Sequence, residues 1–157
     1  MKKIIILMLL FSSAIYSQTK QETIDWLNLK LREHSDGLMG QYSIKIQNEK
    51  DWGEVLVITV HVKNEYMGER YDYYSFLPKN IASVTTTKKF RTDGKLGLVI
   101  TAKGNNIYTD NKELVNEIDI MCTAAPDETI IRMQKGIIHL LNLMGNPIKI
   151  QKELFTN

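Results

Sequence analysis

The sequence predicts an α+β fold: an antiparallel β-sheet or small barrel of about seven strands, with an N-terminal helix and a long C-terminal amphipathic helix. Three observations predict it. Apolar residues recur at helical spacing near both ends, at Ile24, Leu27 and Leu31 and again from Ile130 to Met144. Between these stretches the apolar period falls to two. Short clusters rich in Asn, Gly, Pro and Asp then divide that central part into runs of strand length.

The first helix is expected over residues 20–34. Thr19-Lys-Gln-Glu22 is a capping-box pattern, and Gly37 is a plausible stop. Trp26 lies beside the apolar stripe and reads as a core aromatic rather than a binding anchor. From residue 41, Tyr42, Ile44 and Ile46 alternate with Ser43, Lys45 and Gln47. After the turn-rich Asn48-Glu-Lys-Asp51, Val55 to Val62 follows, and the two runs read as an antiparallel hairpin. Leu56, Ile58, Val60 and Val62 share one face of the second strand, while Val55, Val57, Thr59 and His61 share the other. Apolar character on both faces suits a central strand or one curving round a barrel.

Arg70 to Leu77 reads as a third strand, Pro78-Lys-Asn80 as a turn and Ile81 to Thr86 as a fourth strand. Lys88 to Lys95 is polar, Leu96 to Thr101 is a fifth strand, and Lys103-Gly-Asn-Asn106 is a turn. Ile107 to Thr109 begins a sixth strand and Glu117 to Thr123 reads as a seventh. Asn111 to Asn116 is open, because Asp110-Asn-Lys-Glu113 also fits a helix cap. Pro126 suits the first helical position, with Asp127 and Glu128 complementing the helix dipole. Ile130, Met133, Ile137, Leu140, Leu141 and Met144 form one stripe, which places His139 outward; Gly145 and Pro147 end the helix. Ile148-Lys-Ile150 and Leu154-Phe155 read as a tail that packs back on the body.

The first 17 residues read as a secretory signal peptide. Lys2 and Lys3 are followed by the apolar run Ile4 to Phe11 and the small-residue stretch Ser12 to Ser17. The run is too short to cross about 30 Å of hydrocarbon, so no transmembrane segment is expected after cleavage. Cleavage after Ser17 would leave residues 18–157 as a single domain beginning at Gln18; cleavage after Ala14 is the competing choice. No Cys follows either site, which excludes a lipid-modified N-terminus. Removing Lys2 and Lys3 leaves 18 basic residues against 18 acidic ones. A near-neutral surface gives nucleic acid little to bind, so no nucleic-acid partner is expected.

Cys122 is the only cysteine, so no intramolecular disulfide can form. Alternation groups it with Ile118 and Ile120, as a buried and inert thiol. The Lys-, Ile- and Asn-rich composition, with four Arg, looks like that of an AT-rich bacterial genome. With the leader, it points to an exported protein, periplasmic or extracellular.

Enzyme templates are missing. There is no His-Glu-x-x-His, Gly-x-Ser-x-Gly or Walker loop, and no Gly-x-Gly-x-x-Gly follows a strand. His34, His61 and His139 lie in separate regions. Only His61 is placed to act as a base or ligand, and it has no carboxylate beside it in sequence. Glu65 and Glu69 flank a loop, and Glu117 and Asp119 point the same way from a strand; such pairs can hold a hard cation but more often are solvated. No catalytic residue, metal ligand or cofactor is assigned. Lys88, Lys89, Arg91 and Lys95 form the one basic cluster and read as a solvated loop. The densest interaction-capable group is tyrosine-rich: Tyr66, Tyr71 and Tyr73 are the candidate binding residues, with Tyr74 on the opposite strand face.

About seven antiparallel strands followed by one long helix resembles the pleckstrin-homology-like barrel. The junction Phe76-Leu-Pro-Lys-Asn-Ile-Ala-Ser-Val84 is similar to one common in such barrels. The resemblance covers residues 41 to 145 and implies a barrel with one end closed by the last helix. The first hairpin loop, Asn48 to Asp51, lacks the basic cluster of phosphoinositide-binding members, so lipid binding is not implied. Function is expected to be that of a non-catalytic binding or interaction domain of the cell envelope, with an unknown protein or small-molecule ligand as partner. The alternatives are a carrier of a small apolar ligand and a small hydrolase assembled around His61.

Overall fold

Helix α1 (Lys20–His34) begins where the capping box places it. The Thr19 hydroxyl accepts from the Glu22 N–H, and the Glu22 carboxylate accepts from the Thr19 N–H at 2.7 Å. These atoms belong to a computed structural model, which describes residues 19–35, 40–65, 68–87, 96–122 and 124–148. Gly37, the signal segment 1–17, the basic cluster from Lys88 to Lys95, and Ile150, Leu154 and Phe155 lie outside the described residues.

Eight strands follow: β1 (Gln41–Glu49), β2 (Gly53–Asn64), β3 (Gly68–Phe76), β4 (Ile81–Thr87), β5 (Gly97–Ala102), β6 (Ile107–Thr109), β7 (Leu114–Val115) and β8 (Glu117–Ile120). Helix α2 (Asp127–Leu143) closes the order. The strands form two antiparallel sheets, one ordered β1-β2-β3-β6-β7 and the other β4-β5-β8. The sheets do not merge into a closed barrel, so the barrel alternative gives way to two sheets. The break falls at the 3-10 turn Pro78–Asn80, where the chain leaves the first sheet after Phe76 and starts the second at Ile81. A proline there fixes the backbone and has no N–H for a ladder.

β2 is central, flanked by β1 and β3, which accounts for its apolar character on both faces. Leu56, Ile58, Val60 and Val62 point into the common core with Phe76 of β3, Ile100 of β5 and Ile118 and Ile120 of β8. Cys122 is fully buried in the same cluster, as alternation predicts. The open stretch 111–116 holds the two-residue strand β7 instead of a helical turn. Its turn is closed by Thr109 and Glu113, whose N–H groups and oxygens bond each other.

Both helices complete the core. Ile24, Leu27 and Leu31 of α1 and Ile130, Met133, Ile137, Leu140 and Leu141 of α2 are buried, and Ile138 joins them. Pro126 stands one place earlier than expected, as the N-cap with extended backbone. At the other end Gly145 has φ +86°. Its N–H reaches Asn142 O and the Asn146 N–H reaches Leu141 O, the Schellman arrangement that needs a left-handed residue.

His139 departs from the outward placement expected of it. It is half-buried, lines the seam between the helices, and its Nε2 is buried with no hydrogen-bond partner among the described residues. The reason is that α2 packs on two sides, against the sheet and against α1, whereas a single-stripe reading allows for one. Gly136 makes the second contact close: a Cβ there would lie 2.9 Å from Trp26 Cζ3. Trp26 is accordingly half-buried against the core, the role expected of it.

Side-chain amides tie the layers together. Asn28 of α1 both donates to Ile44 O at 2.9 Å and accepts from Ile44 N at 2.7 Å, satisfying the outer edge of β1. Buried Asn146 donates to Pro78 O at 2.7 Å and Ile81 O at 3.0 Å, fixing the end of α2 to the start of β4. Edge strands left open are templates for unwanted pairing, and these amides occupy two of them. No described helix is long and apolar enough to cross a membrane.

Candidate aromatic face of the five-stranded sheet

Residues paired directly across an antiparallel ladder lie on the same face of the sheet. The register therefore groups the side chains that point away from the core. His61 pairs with Tyr71, Thr59 with Tyr73 and Val57 with Ser75. Ser75 in turn pairs with Tyr108, and Tyr108 with Leu114. One face thus carries an imidazole, three tyrosines and a leucine across four strands.

The rings touch in two groups. His61 and Tyr71 are stacked, with centroids 4.3 Å apart and planes 5° apart; Tyr73 follows at 6.4 Å. Trp52, in the turn between β1 and β2, meets Tyr108 of β6 at 5.1 Å. That second contact reaches from the β1–β2 turn to β6, across the part of the face where Val55 and Val57 lie. Those two valines are buried although they stand on the outer side, apart from the main core cluster. The rings themselves remain accessible: Trp52 is 50% exposed, Tyr71 47%, Tyr73 43% and Tyr108 37%. Of seven large hydrophobic residues exposed among those described, five lie on this face, Leu114 being the fifth. Leu29 and Ile131, on the helices, are the other two.

The fold brings one carboxylate to His61. Glu69 is opposite Lys63 in the ladder, and its Oε1 reaches His61 Nε2 at 2.9 Å, with Lys63 Nζ 3.7 Å from the other oxygen. The hydrogen bond from His61, aided by the Lys63 charge, holds the Glu69 carboxyl below its ordinary value. This partnership is invisible in linear sequence because a hairpin turn separates the two residues. Its consequence is orientation: the imidazole is fixed between Tyr71 and Glu69.

Tyr71 and Tyr73, two of the three candidate binding residues, thus lie side by side on the exposed face; Tyr66 falls outside the described residues. Tyr74 points the other way and is half-buried against the core, and burial raises its phenol above the ordinary value. Sequence reading missed Trp52, Tyr108 and Leu114. A tryptophan in a polar turn next to Gly53 was the available signal for the first; the other two depend on β6 pairing with β3. Glu65 and Glu117 are exposed, and no group of three or more His, Cys, Asp or Glu able to hold a metal ion occurs among the described residues.

Among the described residues, concavities also lie away from this face. One, of about 510 Å³, runs along the outer edge of β4; another, of about 410 Å³, lies in the helix seam between Trp26 and His139. Comparison with protein-family models, with curated proteins and with solved structures found no match for this chain.

Proposed function

We propose that this chain is an exported, non-catalytic binding domain of the bacterial cell envelope, whose contact surface is the aromatic face of the five-stranded sheet. The observation that carries the reading is the concentration of exposed rings there: Trp52, Tyr71, Tyr73 and Tyr108 on one continuous face. Leaving that much aromatic surface in water forgoes burial energy, and tyrosine and tryptophan are the residues that dominate protein interfaces. The face is open and its stacked rings present hydroxyl-tipped edges, which suits a protein surface as partner better than a small molecule.

The alternatives have less support. A carrier needs an interior chamber, whereas side chains such as Phe76, Ile58, Ile100 and Met133 fill the space between the layers. A hydrolase around His61 needs converging acids in a cleft, whereas His61 has a stacked ring and one exposed carboxylate on an open strand face. Export rests on the leader, and intact mass of the exported protein should place the mature N-terminus near Gln18.

The binding test compares protein retained from a solubilised envelope fraction by wild type, Tyr73→Ala and Trp52→Ala, with Leu29→Ala and Ile131→Ala as exposed controls. Removing a central aromatic anchor should weaken a specific partner by about 30-fold, since hot-spot residues contribute roughly 2 kcal/mol or more. The helix controls should bind like wild type. Equal retention by all five proteins, or loss confined to the helix variants, would place the contact surface elsewhere.

A further inference from the structure

We propose that the seam between α1 and α2 is a binding site for a small carboxylic acid with an apolar, ring-sized body. The seam holds a cleft of about 410 Å³, lined by Thr23 and Trp26 of α1 and by Arg132, Lys135, Gly136 and His139 of α2. That volume lies within the range of small-molecule sites. The cleft is on the helical side of the molecule, away from the aromatic face, and works independently of it.

Helical spacing builds both walls. Arg132, Lys135, Gly136 and His139 stand at i, i+3, i+4 and i+7 and so share one side of α2, while Thr23 and Trp26 stand at i and i+3 on α1. Gly136 lets the two helices approach, because a Cβ there would lie 2.9 Å from Trp26 Cζ3. The indole is only half-buried, and the part not packed on the core gives the cleft an apolar wall on which a flat ring can stack. The Thr23 hydroxyl already donates to Thr19 O at 2.9 Å, so its proton is not free for a ligand.

Charge selects an anion. Two cations and no acid line the cleft. The acids of both helices are engaged: Glu22 in the capping box, Asp25 with Gln21, Glu33 with Lys30 and Asp127 with the Leu96 N–H. Glu128 holds Arg132 at 2.8 Å, in an i to i+4 pair exposed to water. Lys135 has no ion-pair partner among the described residues, which leaves one uncompensated ammonium at the exposed rim. His139 adds a buried Nε2 with no hydrogen-bond partner among the described residues, and an oxygen acceptor in the cleft would satisfy it once the ring turns about χ2. An apolar body would cover the indole while a carboxylate meets Lys135 and His139. One uncompensated cation matches a carboxylate better than a doubly charged phosphate.

Titration of the isotope-labelled protein with naphthoate at low ionic strength, followed by NMR, tests this. The expected result is saturable shifts of the Gly136 amide and the Trp26 indole N–H, with the Tyr73 amide of the aromatic face unmoved. Naphthalenemethanol, which has the same rings and no charge, should bind distinctly more weakly. Lys135→Glu should weaken naphthoate by about fivefold or more, because charge reversal replaces attraction by repulsion. Lys50→Glu makes the same change of net charge in the exposed turn between β1 and β2, and should bind like wild type. No saturable shift at millimolar naphthoate, equal affinity for the alcohol, or equal losses in the two variants would overturn the proposal. So would shifts of the same groups on raising the protein concentration without naphthoate, which would assign the seam to a second copy. The comparison with the alcohol uses the wild-type protein, so it decides even if Lys135→Glu fails to fold.

Discussion

Gly136→Ala sets two well-understood effects against each other, and the structure says which prevails. In an ordinary helix interior, replacing Gly by Ala gains about 1 kcal/mol from backbone entropy. Here the added Cβ would lie 2.9 Å from Trp26 Cζ3 and 3.1 Å from Leu27 Cδ2. The leucine methyl can give way, but the indole is a rigid plate held against α2, so relief requires α1 to move by several tenths of an ångström. Overpacking of this kind costs roughly 1–3 kcal/mol. The net expectation is a loss of about 1 kcal/mol, a fall in Tm of about 4 °C for a domain of this size. Thermal and urea unfolding of the two proteins would measure it. Combining the change with Trp26→Ala makes the test sharper, because without the indole the same methyl should become stabilising. A Gly136→Ala protein more stable than its parent in the wild-type background would mean that α1 does not seat on α2 as described.

Three further outcomes are expected. Leu140→Ala empties a fully buried site on α2 and should cost about 2–5 kcal/mol in urea unfolding. His139→Ala, which removes a half-buried ring whose Nε2 has no described partner, should cost distinctly less, and equal losses would contradict the helix phase. Cys122 should react with a thiol reagent in the native protein far more slowly than in denaturant, since it has no exposed surface. For pH, the lowered Glu69 carboxyl means that its contribution to stability is present above the ordinary carboxylate value of 4.5 and is lost as pH falls through its lower native value. Glu69→Gln should therefore flatten the acid limb of the stability profile, and an unchanged limb would show that the His61 contact does not persist in solution.

Local chemistry made much of this fold legible. The capping box at Thr19, the six-residue stripe of α2, the period-two runs of β1 and β2 and the Gly145 stop all act within a few residues. Their physics is complete in the sequence, and the elements stand where it places them. Cys122 is buried as expected, although β8 ends at Ile120 and the expected strand 117–123 stops short of it. What failed was whatever needed a second element. His139 looked outward until α1 packed on the far side of α2, and the barrel suggested by strand count became two sheets because the Pro78 turn breaks the ladder.

The surface proposed for function belongs mostly to that second kind. The sequence alone determined that Tyr71 and Tyr73 share a face, since every second residue of a strand points the same way. It could not place Tyr108, Leu114 or Trp52 beside them, nor bring Glu69 to His61. Those neighbours are set by pairing register and by a turn folding over the sheet, contacts between residues as far apart as Trp52 and Tyr108. Each such contact is decided by the competition of all possible pairings for one shared core. Side-chain period is a property of a segment, whereas register is a property of the whole chain.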